Sequence, residues 1–351
     1  MNSVVRTPDE VLESLQKPEL KSIGQLNLNP EDYLVVCGGF EDRAVAALET
    51  SSGAGFKVIL ITYEPFIAEN KADHIRKVCR ERKLGLSELP YNRQDPVGFG
   101  DPLVEAVSSC TGRVFWDISG MSRLLIVQTI VAFKNLPRVL EKSHIVYTEA
   151  QKYSPSQQEA LEELARSQAD PSFPIFFLSS GVFEITLIPE LSSNAPPGLQ
   201  TRLVAFPSLD AHQLLALRAE LQPSRLSTIE GVPPGSHNQW REKAISDVNG
   251  LDQITNIEKY RVSTLNYQET LSCLLKLYRK YGIYERFLVS PTGSKMQAVA
   301  VGLLRLFLED IQIVYPTPRD FLKPERYTEG AGQIHLLSLK QFLQAAPSQD
   351  S

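Results

Sequence analysis

One stretch limits the folds open to this chain more than any other. It runs Arg113-Val114-Phe115-Trp116-Asp117-Ile118-Ser119-Gly120-Met121-Ser122-Arg123 and continues into Leu124-Leu125-Ile126-Val127. Val114 to Trp116 is short, apolar and rich in β-formers, which predicts a buried strand. Ser119-Gly120 breaks that run and supplies a sharp turn. Leu124 to Phe133 is long and apolar enough for a buried helix. Asp117, Ser119, Ser122 and Arg123 then fall at the carboxyl end of a strand and the start of a helix, where open α/β sheets bind ligands. A helix start adds backbone N–H groups and positive dipole character, both suited to phosphate.

The same unit recurs along the first half. Tyr33 to Cys37 reads as a strand, Gly38-Gly39 as a turn, and Phe40-Glu41-Asp42-Arg43 as the opening of a helix through Thr50. The turn lacks the G-x-G-x-x-G pattern, so it does not single out a dinucleotide. Lys57 to Thr62 is a second strand, ending at Tyr63-Glu64-Pro65. Ala72 to Arg82 is helical, Glu88 to Tyr91 a shorter strand, Pro102 to Ser109 a helix and His144 to Thr148 a strand. This alternation predicts an α/β fold with a mainly parallel sheet and helices on both faces. Ahead of it, Thr7-Pro8-Asp9-Glu10 has the pattern of a capped short helix.

The polar stretch 154–170 reads as a helix or loop. Phe176-Phe177-Leu178 and Phe183 to Ile188 read as antiparallel edge strands. From Arg202 the order of the first half recurs. Leu203 to Phe206, Arg225 to Ile229 and Tyr260 to Thr264 are strands, and Tyr267 to Tyr281 is a helix. Arg286 to Ser290 then meets Pro291-Thr292-Gly293-Ser294-Lys295 and an apolar helix from Met296 to Leu308. That repeats the central pattern of strand, hydroxyl-glycine turn, cation and helix, and Ile311 to Tyr315 closes the set. The expectation is two Rossmann-like units related by an internal pseudo-duplication about a pseudo-twofold axis. The boundaries predicted are a polar segment 1–30, a first unit 31–170, connecting strands and loop 171–200, and a second unit 201–351.

Composition excludes more than it assigns. With 351 residues, 42% hydrophobic and 22% charged, the chain can bury a core and is long for one domain. A net charge of −5 argues against a generally basic double-stranded nucleic-acid surface. Cys37, Cys79, Cys110 and Cys273 form no C-x-x-C pair, which argues against a structural zinc or disulfide framework and fits a cytoplasmic protein. The first residues lack a signal-peptide core, and no uncharged run reaches the length of a membrane span. The five histidines show no metal-ligand spacing, so no metal and no cofactor is expected. His237, in a Pro- and Gly-rich loop, is the histidine to test first should activity be found.

The candidate ligand and phosphate contacts are Asp117, Ser119, Gly120, Ser122 and Arg123 in the first half, and Thr292, Gly293, Ser294 and Lys295 in the second. The glycines let backbone approach a ligand, and the arginine suits bidentate phosphate contact. The alternative is that the hydroxyls only cap helices and the cations face water. Asp117 and Glu64 are the acid–base candidates; Asp117 serves equally well as a bond to turn amides. Asp42 and Arg43 are secondary candidates at the same sheet edge. Tyr147 and Tyr315 are candidates for stacking on bases, with half-buried packing as their plain role. Thr-Gly-Ser-Lys lacks P-loop spacing, which excludes an NTPase reading.

Asp117-x-Ser119-x-x-x-Arg123 resembles the ligand motif of CARF domains, the CRISPR-associated Rossmann-fold sensors: Asp or Asn, one residue, Ser or Thr, three residues, then Lys or Arg. The likeness covers seven residues. It implies binding of a cyclic oligonucleotide or related nucleotide across paired Rossmann units, with Ser119 and Arg123 at the phosphates, and a role in antiviral defence. The second half departs, since Lys295 comes one position early, and no effector domain is evident. The leading expectation is a nucleotide-binding sensor or regulator that holds a phosphorylated ligand between two units and acts on an effector partner. The alternatives are a nucleotide- or nucleoside-processing enzyme (glycosidic hydrolase, phosphoribosyl-type transferase or signal-degrading nuclease) and a structural subunit of a larger complex.

Overall fold

The computed structural model describes residues 6–170, 177, 179–321 and 327–343. The strand expected at Phe176-Phe177-Leu178 lies outside what is described. In chain order the elements begin α1 (Pro8–Ser14), β1 (Lys21–Ile23), β2 (Tyr33–Cys37), α2 (Arg43–Thr50), β3 (Lys57–Glu64), α3 (Ala72–Glu81), β4 (Gly85–Asn92) and α4 (Gly100–Ser108). They continue β5 (Val114–Asp117), α5 (Arg123–Ala132), α6 (Pro137–Leu140), β6 (Ser143–Thr148), β7 (Lys152–Tyr153), α7 (Gln157–Ala169), β8 (Val182–Leu187), β9 (Gln200–Ala205) and α8 (Ala211–Leu221). Then come β10 (Arg225–Val232), α9 (Trp240–Val248), β11 (Ile257–Ser263), α10 (Tyr267–Tyr281), β12 (Glu285–Ser290), α11 (Lys295–Phe307), β13 (Gln312–Pro318), β14 (Thr328–Glu329), β15 (Ile334–Ser338) and α12 (Lys340–Leu343).

The chain divides into two compact units. One holds residues 1–151, 306–308 and 328–351; the other holds 152–305 and 309–327. The first is therefore discontinuous, unlike the continuous 31–170 expected. The reason is β15, which pairs antiparallel with both β6 and β1. It brings the end of the chain back into the first sheet.

That sheet has the order β1-β15-β6-β5-β2-β3-β4. Its five strands from β2 to β6 are parallel, in the Rossmann arrangement of third, second, first, fourth, fifth. The second sheet has the order β11-β10-β9-β12-β13-β8. Its strands from β9 to β13 repeat that arrangement, with β8 antiparallel at the edge of β13. Each unit is thus a Rossmann-like α/β sheet. In each, an antiparallel strand lies beside the fifth parallel one, taken from later in the chain in the first unit and from earlier in the second.

Parallel strands need cover on both faces, because crossover helices lie on each side. In the first unit Leu34, Val36, Val58, Leu60, Phe115 and Val146 form one buried cluster with Val45, Ala47 and Leu48 of α2 and Ile75 of α3. The alternate residues Val35, Ile59, Ile61, Trp116 and Ile145 point to the opposite face and are buried too. In the second unit Leu203, Ala205, Leu226, Leu288 and Val314 pack with Leu214 and Leu217 of α8. On the other face Val204, Ile229, Val289 and Ile313 are buried. This is why the strands read as apolar runs rather than alternating ones. A fully buried leucine or isoleucine contributes roughly 1.5–3 kcal/mol.

At the amino end of the first sheet, Asp32 binds the Arg113 guanidinium at 2.6 Å and the Arg113 N–H at 2.7 Å. His144 sits near this clasp, stacked on Phe115 with ring centroids 5.0 Å apart. Its Nδ1 has no hydrogen-bond partner among the described residues. Burial first, and the Arg113 charge second, push the His144 pKa down from 6.5 to about 4. The fold therefore prefers the neutral ring. As pH falls, the unfolded chain takes up the proton first, so this contribution is full above about 6.5 and lost progressively toward about 4. On the order of 2 kcal/mol is at stake. Denaturant unfolding at successive pH values should show wild type losing stability more steeply than His144→Gln between pH 6.5 and 4; parallel curves would contradict this account.

Candidate functional site

In each sheet the strand order reverses between the first and fourth parallel strands. A crevice is expected outside their carboxyl ends, and open α/β sheets place ligands there. The first unit forms this corner from Gly38-Gly39 after β2 and Ile118–Gly120 after β5. The second forms it from Phe206 after β9 and Thr292–Ser294 after β12.

The base of the first corner is filled by protein. A Cβ added to Gly120 would lie 2.2 Å from the Cys37 carbonyl oxygen, and one added to Gly39 would lie 2.7 Å from the Gly120 oxygen. The two turns meet backbone to backbone, so these glycines serve the meeting of two loops. Asp117 is 1% exposed and accepts the Ser119 N–H at 2.9 Å. Ser119 is fully buried and accepts the Thr148 N–H at 2.8 Å, which ties the turn after β5 to the end of β6. Ser122 caps α5 by accepting the Leu125 N–H at 3.2 Å. The Ser122 N–H in turn donates to the Tyr63 hydroxyl, which donates to the Gly120 oxygen at 3.3 Å. Burial holds the Tyr63 phenol well above its usual range, so it stays a donor. Arg123 follows the cap as the first residue of α5 and is half-buried.

The secondary candidates of the first unit fall in two places. Arg43 is 4% exposed and lies inside the unit. It pairs with Glu41 at 2.7 Å and donates to the Tyr147 hydroxyl at 3.0 Å and the Thr148 oxygen at 3.3 Å. Tyr147 is buried as well, stacked with His335. His335 itself bonds Glu149 at 2.6 Å. Asp42 and Glu64 lie at the surface. Asp42 pairs with Lys71 at 3.0 Å and accepts the Gly330 N–H at 3.1 Å. The Lys71 contact holds its carboxyl below the usual carboxylate range. Phe66 and Val97, on the loops after β3 and β4, are 72% and 52% exposed. They form apolar surface at the carboxyl end of the sheet that sequence reasoning overlooked.

The second corner is closed differently. Thr292 donates its hydroxyl to the Phe206 oxygen at 2.7 Å and accepts the Phe206 N–H at 3.3 Å, lacing the end of β9 to the turn after β12. Ser294 and Gln297 form a reciprocal capping box on α11. The Ser294 hydroxyl accepts the Gln297 N–H at 3.1 Å, and the Gln297 Oε1 accepts the Ser294 N–H at 2.8 Å. The Ser294 hydroxyl also donates to the Thr264 oxygen. Lys295 is the first residue of α11 and is half-buried. Tyr315, on β13, is 5% exposed. His237 lies in an exposed turn of 3-10 helix, Ser236–Asn238.

Ser119, Thr292, Ser122 and Ser294 therefore hold the turns and helix ends together. What the two corners share is a serine cap followed by a cation at the first helical position. Neither α5 nor α11 has an acidic residue in its first turn. A cation there opposes the helix dipole and costs about 0.3–1 kcal/mol at an exposed site. Both corners thus place a cation beside a helix N-terminus. Among the described residues no group of three or more His, Cys, Asp or Glu is placed to hold a metal, and no helix is long and apolar enough to cross a membrane.

No family model matches the sequence, and no curated protein matches it. Among solved structures, the cytoplasmic domain of a prokaryotic cation chloride cotransporter aligns at 10% identity over 83% of this chain and 95% of its own, with a TM-score of 0.24. An N-terminal ketoreductase from the macrolactin assembly line aligns at 14% identity over 87% of this chain and 75% of its own, with a TM-score of 0.21. A short-chain type dehydrogenase/reductase from Mycobacterium ulcerans aligns at 11% identity, 88% and 93% coverage, and a TM-score of 0.17.

The meeting of turns at Gly120 is directly testable. Gly120→Ala inserts a methyl group against the Cys37 carbonyl and should cost about 2–3 kcal/mol as the loops are forced apart. Thermal unfolding reads this as a clear drop in Tm. Gly24→Ala, where a Cβ would meet nothing within 4 Å, is the matched control.

Proposed function

We propose that this protein is a sensor of a phosphorylated nucleotide, with an anion-accepting corner in each unit. The observation that carries this reading is the repeated pairing of a serine cap with a first-position cation, Ser122-Arg123 on α5 and Ser294-Lys295 on α11. Both pairs stand at the strand-order reversal of their sheet. A phosphate at such a corner meets a helix N-terminus and a cation together.

Binding without turnover is favoured by the state of Asp117. It is buried, and its Oδ1 is engaged by the Ser119 amide, so it supports the turn. The exposed Phe66, on a loop at the same edge of the first sheet, has the flat apolar face on which a nucleobase stacks. The Asp117-x-Ser119-x-x-x-Arg123 likeness extends the reading to a cyclic oligonucleotide as ligand and to antiviral defence. In that setting ligand binding shifts the population of a conformation that a partner protein reads.

Calorimetric titration of the full chain tests this with ATP, inorganic pyrophosphate and cyclic di-, tri- and tetranucleotides. Wild type should bind at least one cyclic nucleotide more tightly than pyrophosphate. Arg123→Ala and Lys295→Ala should each weaken that binding by about tenfold or more while the melting temperature holds. Mass spectrometry of the mixture should return the ligand intact. Unchanged affinity in both variants would remove the cations from the site, and steady conversion of the ligand would favour a nucleotide-processing enzyme instead.

A further inference from the structure

The capping box on α11 leaves one donor in an unusual position. The Gln297 Oε1 accepts the Ser294 N–H at 2.8 Å, which settles which end of the carboxamide faces the cap. Its Nε2 therefore faces the other way. Gln297 is 2% exposed, and Nε2 has no hydrogen-bond partner among the described residues. A buried amide donor without an acceptor is costly to keep. The cap does not require it, since glutamate closes the same box and leaves no N–H behind.

Two glycines make room for this carboxamide. A Cβ on Gly293 would lie 2.2 Å from the Gln297 Oε1. A Cβ on Gly231, in β10, would lie 3.4 Å from Nε2 and 2.7 Å from the Thr264 methyl carbon. Any larger residue at Gly231 would press on the Thr264 methyl and take the space beside the donor. That space lies at the carboxyl end of the sheet, beside the start of α11 and two residues from Lys295. The first unit has no amide donor at the matching position of its helix. Its third helical residue is Leu125, fully buried and apolar, and the Ser122 N–H is taken by Tyr63 instead.

We infer that Gln297 is the residue with which the second unit reads its ligand. Its Nε2 donates to a phosphate oxygen that enters beside Gly231, while Lys295 supplies the opposing charge. Nε2 is shielded from solvent, so the contact forms as the Thr264 side chain above Gly231 gives way. This rests on the sensor reading and deepens it: the two corners are unequal, and the second carries a built-in amide donor where the first carries a leucine.

The test uses the full chain with its glutamine side chains labelled at 15Nε2, and the member of the nucleotide panel that wild type binds most tightly. Gln297→Glu keeps the capping box, removes the donor and assigns the Gln297 amide signal by its loss. Gly231→Ala sets a methyl group 3.4 Å from Nε2 and against the Thr264 methyl, and leaves both partners of the cap in the sequence. The expected result is a downfield shift of the Gln297 amide protons on adding the nucleotide. With it should come a loss of affinity of at least about tenfold in both variants, each shown to be folded by a cooperative thermal transition. Wild-type affinity in both variants, in the face of weakened binding by Lys295→Ala, would overturn the role of Gln297 and leave the sensor reading standing. Failure of wild type to bind any member of the panel would overturn both.

Discussion

Each unit depends on a single stitch, the bond between the end of its first parallel strand and the turn after its fourth. These strands are neighbours in space and distant in sequence, and a Rossmann-like sheet changes direction between them. In the first unit the stitch is a contact of backbones, Gly39 and Gly120 against each other and against Cys37. In the second it is a side chain, with the Thr292 hydroxyl laced to both the N–H and the carbonyl of Phe206. Two chemistries solve one problem, which is to hold a helix start in register with a sheet edge. Every feature of the candidate sites is referred to that register: the serine caps, the first-position cations and the placement of Gln297.

The stitch also explains why so few of the hydroxyls at the corners face outward. A turn between a buried strand and a buried helix has amides and carbonyls that water cannot reach, and each needs a partner. Ser119 and Thr292 are those partners. The arginine of the first βα turn follows the same logic. Arg43 is drawn inward to Glu41 and Tyr147, because a buried pair with further hydrogen bonds keeps both charges satisfied. Polarity at a sheet edge is thus shared between holding the edge and serving a ligand, and in this protein holding takes the larger part.

Local pattern carried much of the architecture. The apolar runs at Tyr33–Cys37 and Val114–Trp116 are strands where the pattern puts them, and the helix expected over Tyr267–Tyr281 has those bounds. The edge strand expected at Phe183–Ile188 is β8, antiparallel as read. The misses share one cause, dependence on partners far away in sequence. Strand β1 is three residues of ordinary polarity, a strand only because β15 lies beside it. The fates of Ser119 and Thr292 were illegible because Thr148 and Phe206 stand 29 and 86 positions away. Gln297 was within reach, since Ser294-x-x-Gln297 is a capping-box pattern, but no local pattern reveals that its second nitrogen is left over.

The insertion of β15 between β1 and β6 sets an order of assembly during synthesis. A ribosome delivers residues 21–23 before the second unit and residues 334–338 after it, yet these pair with one another. The amino-terminal sheet must wait, its β6 flank exposed, while the whole second unit emerges and becomes able to close. The nascent chain thus holds an unfinished sheet while the second unit is translated, and the arrival of β15 rather than early folding completes the first unit.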